Sequence, residues 1–404
     1  MSAYYKERST VEDRASKRKL LAMSPVFINH TAETFTSTRS GAIATHIHEC
    51  CRVAAQQKFE PMVISIRCDA APYTDVPTLL LDAPRIPENR FLVKLLRAQR
   101  KLTGWRHLRQ KAHAANVERA IRKARLERRP MILHNDPEMV VYLRERFPRA
   151  FLIHHFHNQI PISPRFRLRF RESVNVVTAV SHFTGRWVEE AYELPADSVQ
   201  TVHNGVDIES FKPAPEHEEE IPVINFLGRT GIEKGPDLLL KAAAKLAEKT
   251  RAFRVQILGS NHWHKFERDD YQMELDQLTD ELERAGVSVR RPGHVTRADL
   301  PGALREAHIN VVPSRWDEPF ALTILEGMAC GLASVVSRTG GAPEVVGDAG
   351  LLFERNSVEG LADQLRRLLF DRDLRTEYAR KARKRAEQFT WDNTWGQFRG
   401  LMGF

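Results

Sequence analysis

The segment Ser314-Arg315-Trp316-Asp317-Glu318-Pro319-Phe320-Ala321-Leu322-Thr323-Ile324-Leu325-Glu326 carries two carboxylates eight residues apart. The first falls in a loop after an apolar run, the second about one turn into a helix opening near Leu322. A helix N-terminus offers free N–H groups to an anion. Carboxylates flanking it can accept hydrogen bonds from hydroxyls, worth ~1.5–3 kcal/mol each when charge-assisted. In a purely structural reading Glu318 complements the helix dipole and Glu326 sits on the surface. Glu326, however, is embedded in LTILEGMACGLASVV, where an unpaired carboxylate is costly. That favours a ligand-binding role. Earlier in the chain, Gly228-Arg229-Thr230-Gly231-Ile232-Glu233-Lys234-Gly235-Pro236 follows another apolar run. Its glycines let backbone approach a ligand, and Arg229 and Lys234 place two cations beside a helix N-terminus, a combination suited to a diphosphate. A merely solvated loop would have the same composition. The GxxxxGK[ST] phosphate loop is absent at this position.

Residues like these need strand ends to hold them. Short apolar runs predict strands at 25–31, 61–67, 131–135, 150–156 and 174–181 in the first half, and at 223–229, 253–259, 309–314 and 334–339 in the second. Helical stretches such as GAIATHIHECCRVAAQQ and GPDLLLKAAAKLAEK lie between them. The alternation predicts α/β architecture with parallel, doubly wound sheets, and its two series predict two Rossmann-like domains facing across a cleft. Expected boundaries are a tail over 1–22, a first domain over 23–212, a second over 213–391, and a helix over 392–404 returning to the first. Acidic, Pro-bounded PAPEHEEEIP (213–222) is the expected linker.

The 404 residues are 42% hydrophobic and 28% charged, a globular composition. No apolar run approaches the ~18 residues of a membrane span, and the charged N-terminus lacks a secretory apolar region. Cys50, Cys51, Cys68 and Cys330 fit neither a disulfide framework nor a zinc site, so a reducing, cytoplasmic location is expected. Residues 1–212 carry 34 Lys+Arg against 22 Asp+Glu, while the rest carries 27 against 30. The basic half is expected to face something anionic. Residues 84–130 hold 15 bases and three acids with apolar residues interleaved, and 164–171 alternates Arg with Phe and Leu. Both segments suit an anionic membrane surface, peripheral on its cytoplasmic face, or an anionic acceptor. A solvated crossover helix is the plain alternative. No nucleic-acid-binding motif supports that partner.

The Glu318…Glu326 spacing and the GR…EKG loop resemble the retaining GT-B glycosyltransferases of family 4. TVHNGVDIESFKP (201–213), GHVTRADLPGALREAHINVVPS and GGAPEVVGDAGLLF are similar to further family segments. In the first half the likeness rests on LHNDPEMVVYLRERFPRAFLIHHFHN and VVTAVSHFTGRWVE, with a weaker similarity to a spore-coat and envelope-polysaccharide branch. The resemblance implies that Arg229 and Lys234 bind the donor diphosphate and stabilise the leaving group. Glu326 would hold the ribose hydroxyls. Glu318 would hold the transferred sugar, with backbone N–H groups of Phe320, Ala321 and Leu322. The base would lie between Gly259-Ser260 and the 291–295 loop, which includes His294 and Val295. A first-domain histidine would contact the sugar; His157 is the choice, with His154 and His155 as rivals, and strand alternation puts 155 and 157 on one face. Two departures stand out. The family commonly has Gly where this chain has Ala321, and its first glycine-rich loop survives here only as Thr38-Arg39-Ser40-Gly41.

The implied reaction transfers a hexose from a nucleotide sugar, UDP-linked rather than GDP-linked, to a lipid-linked or polysaccharide acceptor with retention. No cofactor and no metal are expected. Asp371-Arg372-Asp373 spells a metal motif but lies in a polar helical region away from the others. Two alternatives remain: a non-catalytic nucleotide-sugar-binding protein, and a GT-B epimerase or hydrolase.

Overall fold

A computed structural model describes residues 24–31, 33–37, 41–84, 108–214, 221–261 and 270–403. The expected tail, residues 85–107 of the basic 84–130 segment, the core of the linker and Thr38-Arg39-Ser40 lie outside these residues. The chain divides into two compact units: one formed by the residues up to Val202 together with those from Thr394 on, the other by His203–Asn393. The division falls ten residues before 212 because 203–212 packs with the second unit. There Val206 N donates to Phe389 O at 2.8 Å, and Arg383 donates to the carbonyls of Ile208 and Phe211.

In the first unit, β1 (Val26–Ile28), β2 (Met62–Ile66), β3 (Thr78–Leu81), β4 (Met131–His134), β5 (Leu152–Phe156), β6 (Val176–Ala179) and β7 (Gln200–Thr201) form one sheet. Its order is β3-β2-β1-β4-β5-β6-β7, and every pairing is parallel. Strands β1, β4 and β5 are buried throughout, as a sheet covered by helices on both faces requires. The helix Ala42–Gln56 buries Ile43, Ala44, His46, Ile47, Cys50, Cys51, Val53 and Ala54, an apolar stripe at helical spacing. All four cysteines are free. The helix Trp391–Leu401 contributes its body to this unit: Trp395 is buried and its Nε1 donates to Gln57 Oε1 at 3.0 Å.

In the second unit, β8 (Val223–Leu227), β9 (Arg254–Leu258), β10 (Val289–Gly293), β11 (Ile309–Val312), β12 (Ala333–Ser337) and β13 (Gly350–Phe353) form a parallel sheet. Its order, β10-β9-β8-β11-β12-β13, repeats the doubly wound pattern of the first unit. The order reverses between β8 and β11, so the loops leaving these two strands open a crevice, the usual ligand position in such sheets. Three buried amides cross the centre of this sheet. Asn225 Nδ2 donates to Asn310 Oδ1 at 3.1 Å, and Gln256 Nε2 to Asn225 Oδ1 at 3.2 Å. Asn310 Nδ2 also donates to Thr323 O at 3.0 Å, fixing the start of the helix Leu322–Ala329 against the sheet.

Candidate active site

The two loops at the switch point of the second sheet meet. Lys234 ends a 3-10 turn, Ile232–Lys234, after β8, and Glu318 lies in the loop after β11. Lys234 Nζ sits 2.5 Å from Glu318 Oε1, and Ser314 Oγ donates to the same oxygen. Glu318 is buried, so a lone carboxylate would be destabilising there; the ammonium and hydroxyl offset that cost. Lys234 Nζ also stands 5.0 Å from the centre of the Trp316 ring, a cation–π contact. The turn depends on Gly235, whose φ is +70° and whose Cβ would meet Pro313 O at 2.3 Å. Only glycine lets the two loops approach this closely.

A residue not singled out in the sequence ties these loops together. Asp237, in the first turn of the helix Pro236–Ala247, takes two bonds from Arg315, at 2.6 and 2.7 Å. Tyr271 Oη donates to it at 2.5 Å and Lys241 Nζ at 3.1 Å. Arg315 additionally donates through its backbone to Glu233 O and through its side chain to Ile232 O. Burial alone would raise the Asp237 pKa, but these donors overcome it and hold the carboxyl at about 2 instead of 3.8. The folded value lies below the unfolded one. The stabilisation is therefore complete above pH 4 and is lost as pH falls towards 2. An Asp237→Asn substitution is expected to cost about 2 kcal/mol at pH 7 and to remove that acid-labile part, measurable as urea unfolding midpoints at several pH values.

Glu326, the second carboxylate, is buried in the helix Leu322–Ala329 and ion-paired through Oε1 to Arg297. The apolar context signals that a cation must face Glu326, but not that it comes from the turn after β10. Arg229 is half exposed and loosely paired with Glu233 at 3.4 Å. It lines a cavity of about 180 Å³ with Leu227, Gly228, Leu258, Gly259, Ser260, His294 and Val295. Three expected donor residues, Gly259, His294 and Val295, thus share one cavity with Arg229. Phe320 is buried, and Ala321 precedes the helix at φ +61°, a left-handed conformation that disfavours a side chain. That strain falls at one of the positions where the resemblance leads one to expect glycine.

In the first unit, His157 lies just beyond β5 with its ring nitrogen Nε2 2.9 Å from His134 Nδ1. His155 shares its face, with ring centres 4.4 Å apart; His154 points to the other side, against Phe156 and Phe170. His46, from the helix Ala42–Gln56, stacks on His155 at 4.9 Å. His46 and His134 were not singled out in the sequence. Burial first, and then neighbouring imidazoles, hold His134, His155 and His157 well below the usual histidine range. Gly41 opens the helix Ala42–Gln56, but the half-buried Glu33 carboxylate lies there instead of open space: it accepts from Ala44 N at 3.1 Å, and a Cβ on Gly41 would meet it at 2.7 Å. Asp371 of the Asp371-Arg372-Asp373 motif is a helix N-cap, accepting from Leu374 N at 2.8 Å.

Residues 207–385 match the family model described as glycosyl transferases group 1, and residues 43–210 match that of glycosyltransferase family 4. The chain belongs to the GT-B, family 4-like glycosyltransferases. Among its relatives, a D-inositol 3-phosphate glycosyltransferase of Corynebacterium jeikeium is 33% identical over 50% of this chain and 51% of its own. A lipopolysaccharide 1,2-N-acetylglucosaminetransferase of Salmonella typhimurium is 27% identical over 67% and 72%. The chain spans about half the length of the inositol-phosphate relatives it matches. The Anabaena HepE structure in complex with UDP is 20% identical with a TM-score of 0.69, covering 94% of this chain and 100% of that one, and shares the fold. The 207–385 match contains the whole sheet of the second unit together with the Lys234–Glu318 pair, and the 43–210 match contains the sheet of the first unit apart from β1.

Proposed function

We propose that the protein transfers a hexose from a nucleotide sugar, a UDP-sugar in preference to a GDP-sugar, to a lipid-linked or polysaccharide acceptor with retention of configuration. The observation that carries this reading is the Lys234–Glu318 pair at the switch point, beside the N-terminus of the helix Leu322–Ala329 and in the same unit as the cavity below Arg229. Lys234 has three N–H donors, so one can stay on Glu318 while others meet a diphosphate. Arg229 supplies the second cation, and together they stabilise the charge that develops on the leaving diphosphate. Glu318 and the backbone N–H groups of Phe320, Ala321 and Leu322 hold the sugar; Glu326, oriented by Arg297, holds the ribose; the cavity with Gly259, His294 and Val295 takes the base. His157 contacts the sugar near the reacting carbon, and its neutral imidazole adds no competing charge. The departing phosphate takes the acceptor's proton. These cations serve the diphosphate without a metal ion. Turnover in EDTA with a panel of UDP- and GDP-sugars tests this, with the product anomer read by NMR. Metal-independent release of UDP and a retained anomer are expected; release only with added divalent ion, or an inverted product, contradicts it.

The helix Pro164–Ser173 supports a peripheral membrane role. It turns Phe166 and Phe170 into the core and leaves Arg165, Leu168 and Arg171 exposed, with Arg169 half-buried. Arg167 and Arg169 pair with Glu193 and Glu145, which reduces the free charge. No described helix is long and apolar enough to cross a membrane. Binding to vesicles containing anionic lipid, weakened severalfold by Leu168→Asp with Arg165→Glu and by raised salt, is the expected outcome in a sedimentation assay. Equal binding to neutral vesicles removes this part of the reading.

A further inference from the structure

Four imidazoles are buried together at the ends of β4 and β5: His46, His134 and His155 are fully buried and His157 is 5% exposed. One nitrogen or other ligand atom from each of His46, His155 and His157 lies within 4.8 Å of the others. Burying this many imidazoles is costly unless their nitrogens are engaged. His155 Nδ1 is held by Thr178 Oγ1 at 2.9 Å, while its Nε2 is buried with no hydrogen-bond partner among the described residues. His157 Nε2 faces His134 Nδ1 at 2.9 Å, leaving the other nitrogen of His157 available. Metal-bound histidines are held in this way, with the outer nitrogen fixed by a second partner. The ring of Phe398 closes one side, 5.3 Å from His155 and 5.7 Å from His46.

We propose that His46, His155 and His157 form a site for a divalent transition-metal ion of the zinc class, with Thr178 and His134 as the outer partners of His155 and His157. An all-imidazole set selects zinc or cobalt over magnesium or calcium, which prefer oxygen, and three ligands leave a fourth position open. A bound ion engages His157. On the reading of His157 given above, zinc therefore inhibits transfer, whereas EDTA does not.

Binding is measured apart from activity, so failure of this site and failure of the transferase reading are separable. The untagged full chain, stripped with EDTA, is titrated with Zn²⁺ by calorimetry and with Co²⁺ by visible absorption. One ion per chain is expected, with the absorption of a four-coordinate cobalt site and a raised melting temperature. His155→Gln and His46→Gln each weaken binding at least roughly tenfold. His203→Gln, which alters the separate His203–Glu344 pair of the second unit, retains it. Absence of stoichiometric binding by the wild type overturns the proposal whatever the variants do. So does unchanged affinity in both folded cluster variants.

Discussion

Replacing His113 with leucine is expected to flatten the acid dependence of stability. His113 lies in the helix Leu108–Ala124, fully buried beside Ala114, Val117 and Ile121, and neither ring nitrogen has a partner among the described residues. Burial lowers its pKa from 6.5 to about 4. Between those values the unfolded chain binds a proton that the folded chain does not. Stability is then fully present above pH 6.5 and falls as pH drops towards 4, by about 3 kcal/mol in all. Urea midpoints at pH 7 and pH 5 read the difference. His113→Leu should lose about 2 kcal/mol less than the wild type over that interval, and gain about 1 kcal/mol at pH 7 by removing an unsatisfied polar group. Identical losses in the two proteins show that the ring is solvated or paired.

The second large effect separates folding from chemistry at the Lys234–Glu318 pair. Lys234→Ala leaves the Glu318 carboxylate buried with Ser314 as its remaining side-chain donor, and should cost about 3 kcal/mol of stability. Lys234→Met combined with Glu318→Gln removes both charges at similar volume, so most of that loss returns. Turnover does not return. Removing one preorganised donor from a developing anion costs about a hundredfold to a thousandfold, and the double variant lacks the cation together with the carboxylate proposed to hold the sugar. Thermal melts and initial rates on the same three proteins give both quantities.

Much of the fold was legible because parallel sheets covered on both faces demand continuous apolar runs. Nine of the expected strands coincide with β1, β2, β4, β5, β6, β8, β9, β11 and β12. The strands not anticipated lie towards or at the sheet edges. Thr78–Leu81 is only partly buried, Val289–Gly293 reads VRRPG with alternate residues exposed, and Gln200–Thr201 has two residues. Gly350–Phe353 was visible as a family segment but too short to announce a strand. Edge strands need less apolar sequence, so periodicity misses them.

The site was legible where local chemistry is unusual: a carboxylate in an apolar helix, two cations after a strand, histidines alternating along β5. Its cross-loop partners were not. Arg315 reaches Asp237 across 78 positions and Arg297 reaches Glu326 across 29, and nothing in the spacing distinguishes these arginines from the many solvated ones. The Asp371-Arg372-Asp373 motif shows the converse, a recognisable spelling whose first aspartate caps a helix.

Nucleotide release from UDP- and GDP-sugars in EDTA, with and without membrane extract as acceptor, separates sugar transfer from binding alone. It compares the wild type with the Lys234→Met, Glu318→Gln double variant, both first shown to be folded. The wild type is expected to bind a UDP-sugar and to release UDP when extract is present, and the folded double variant to release none. A double variant that turns over like the wild type would contradict it, as would a wild type that binds no nucleotide sugar at all.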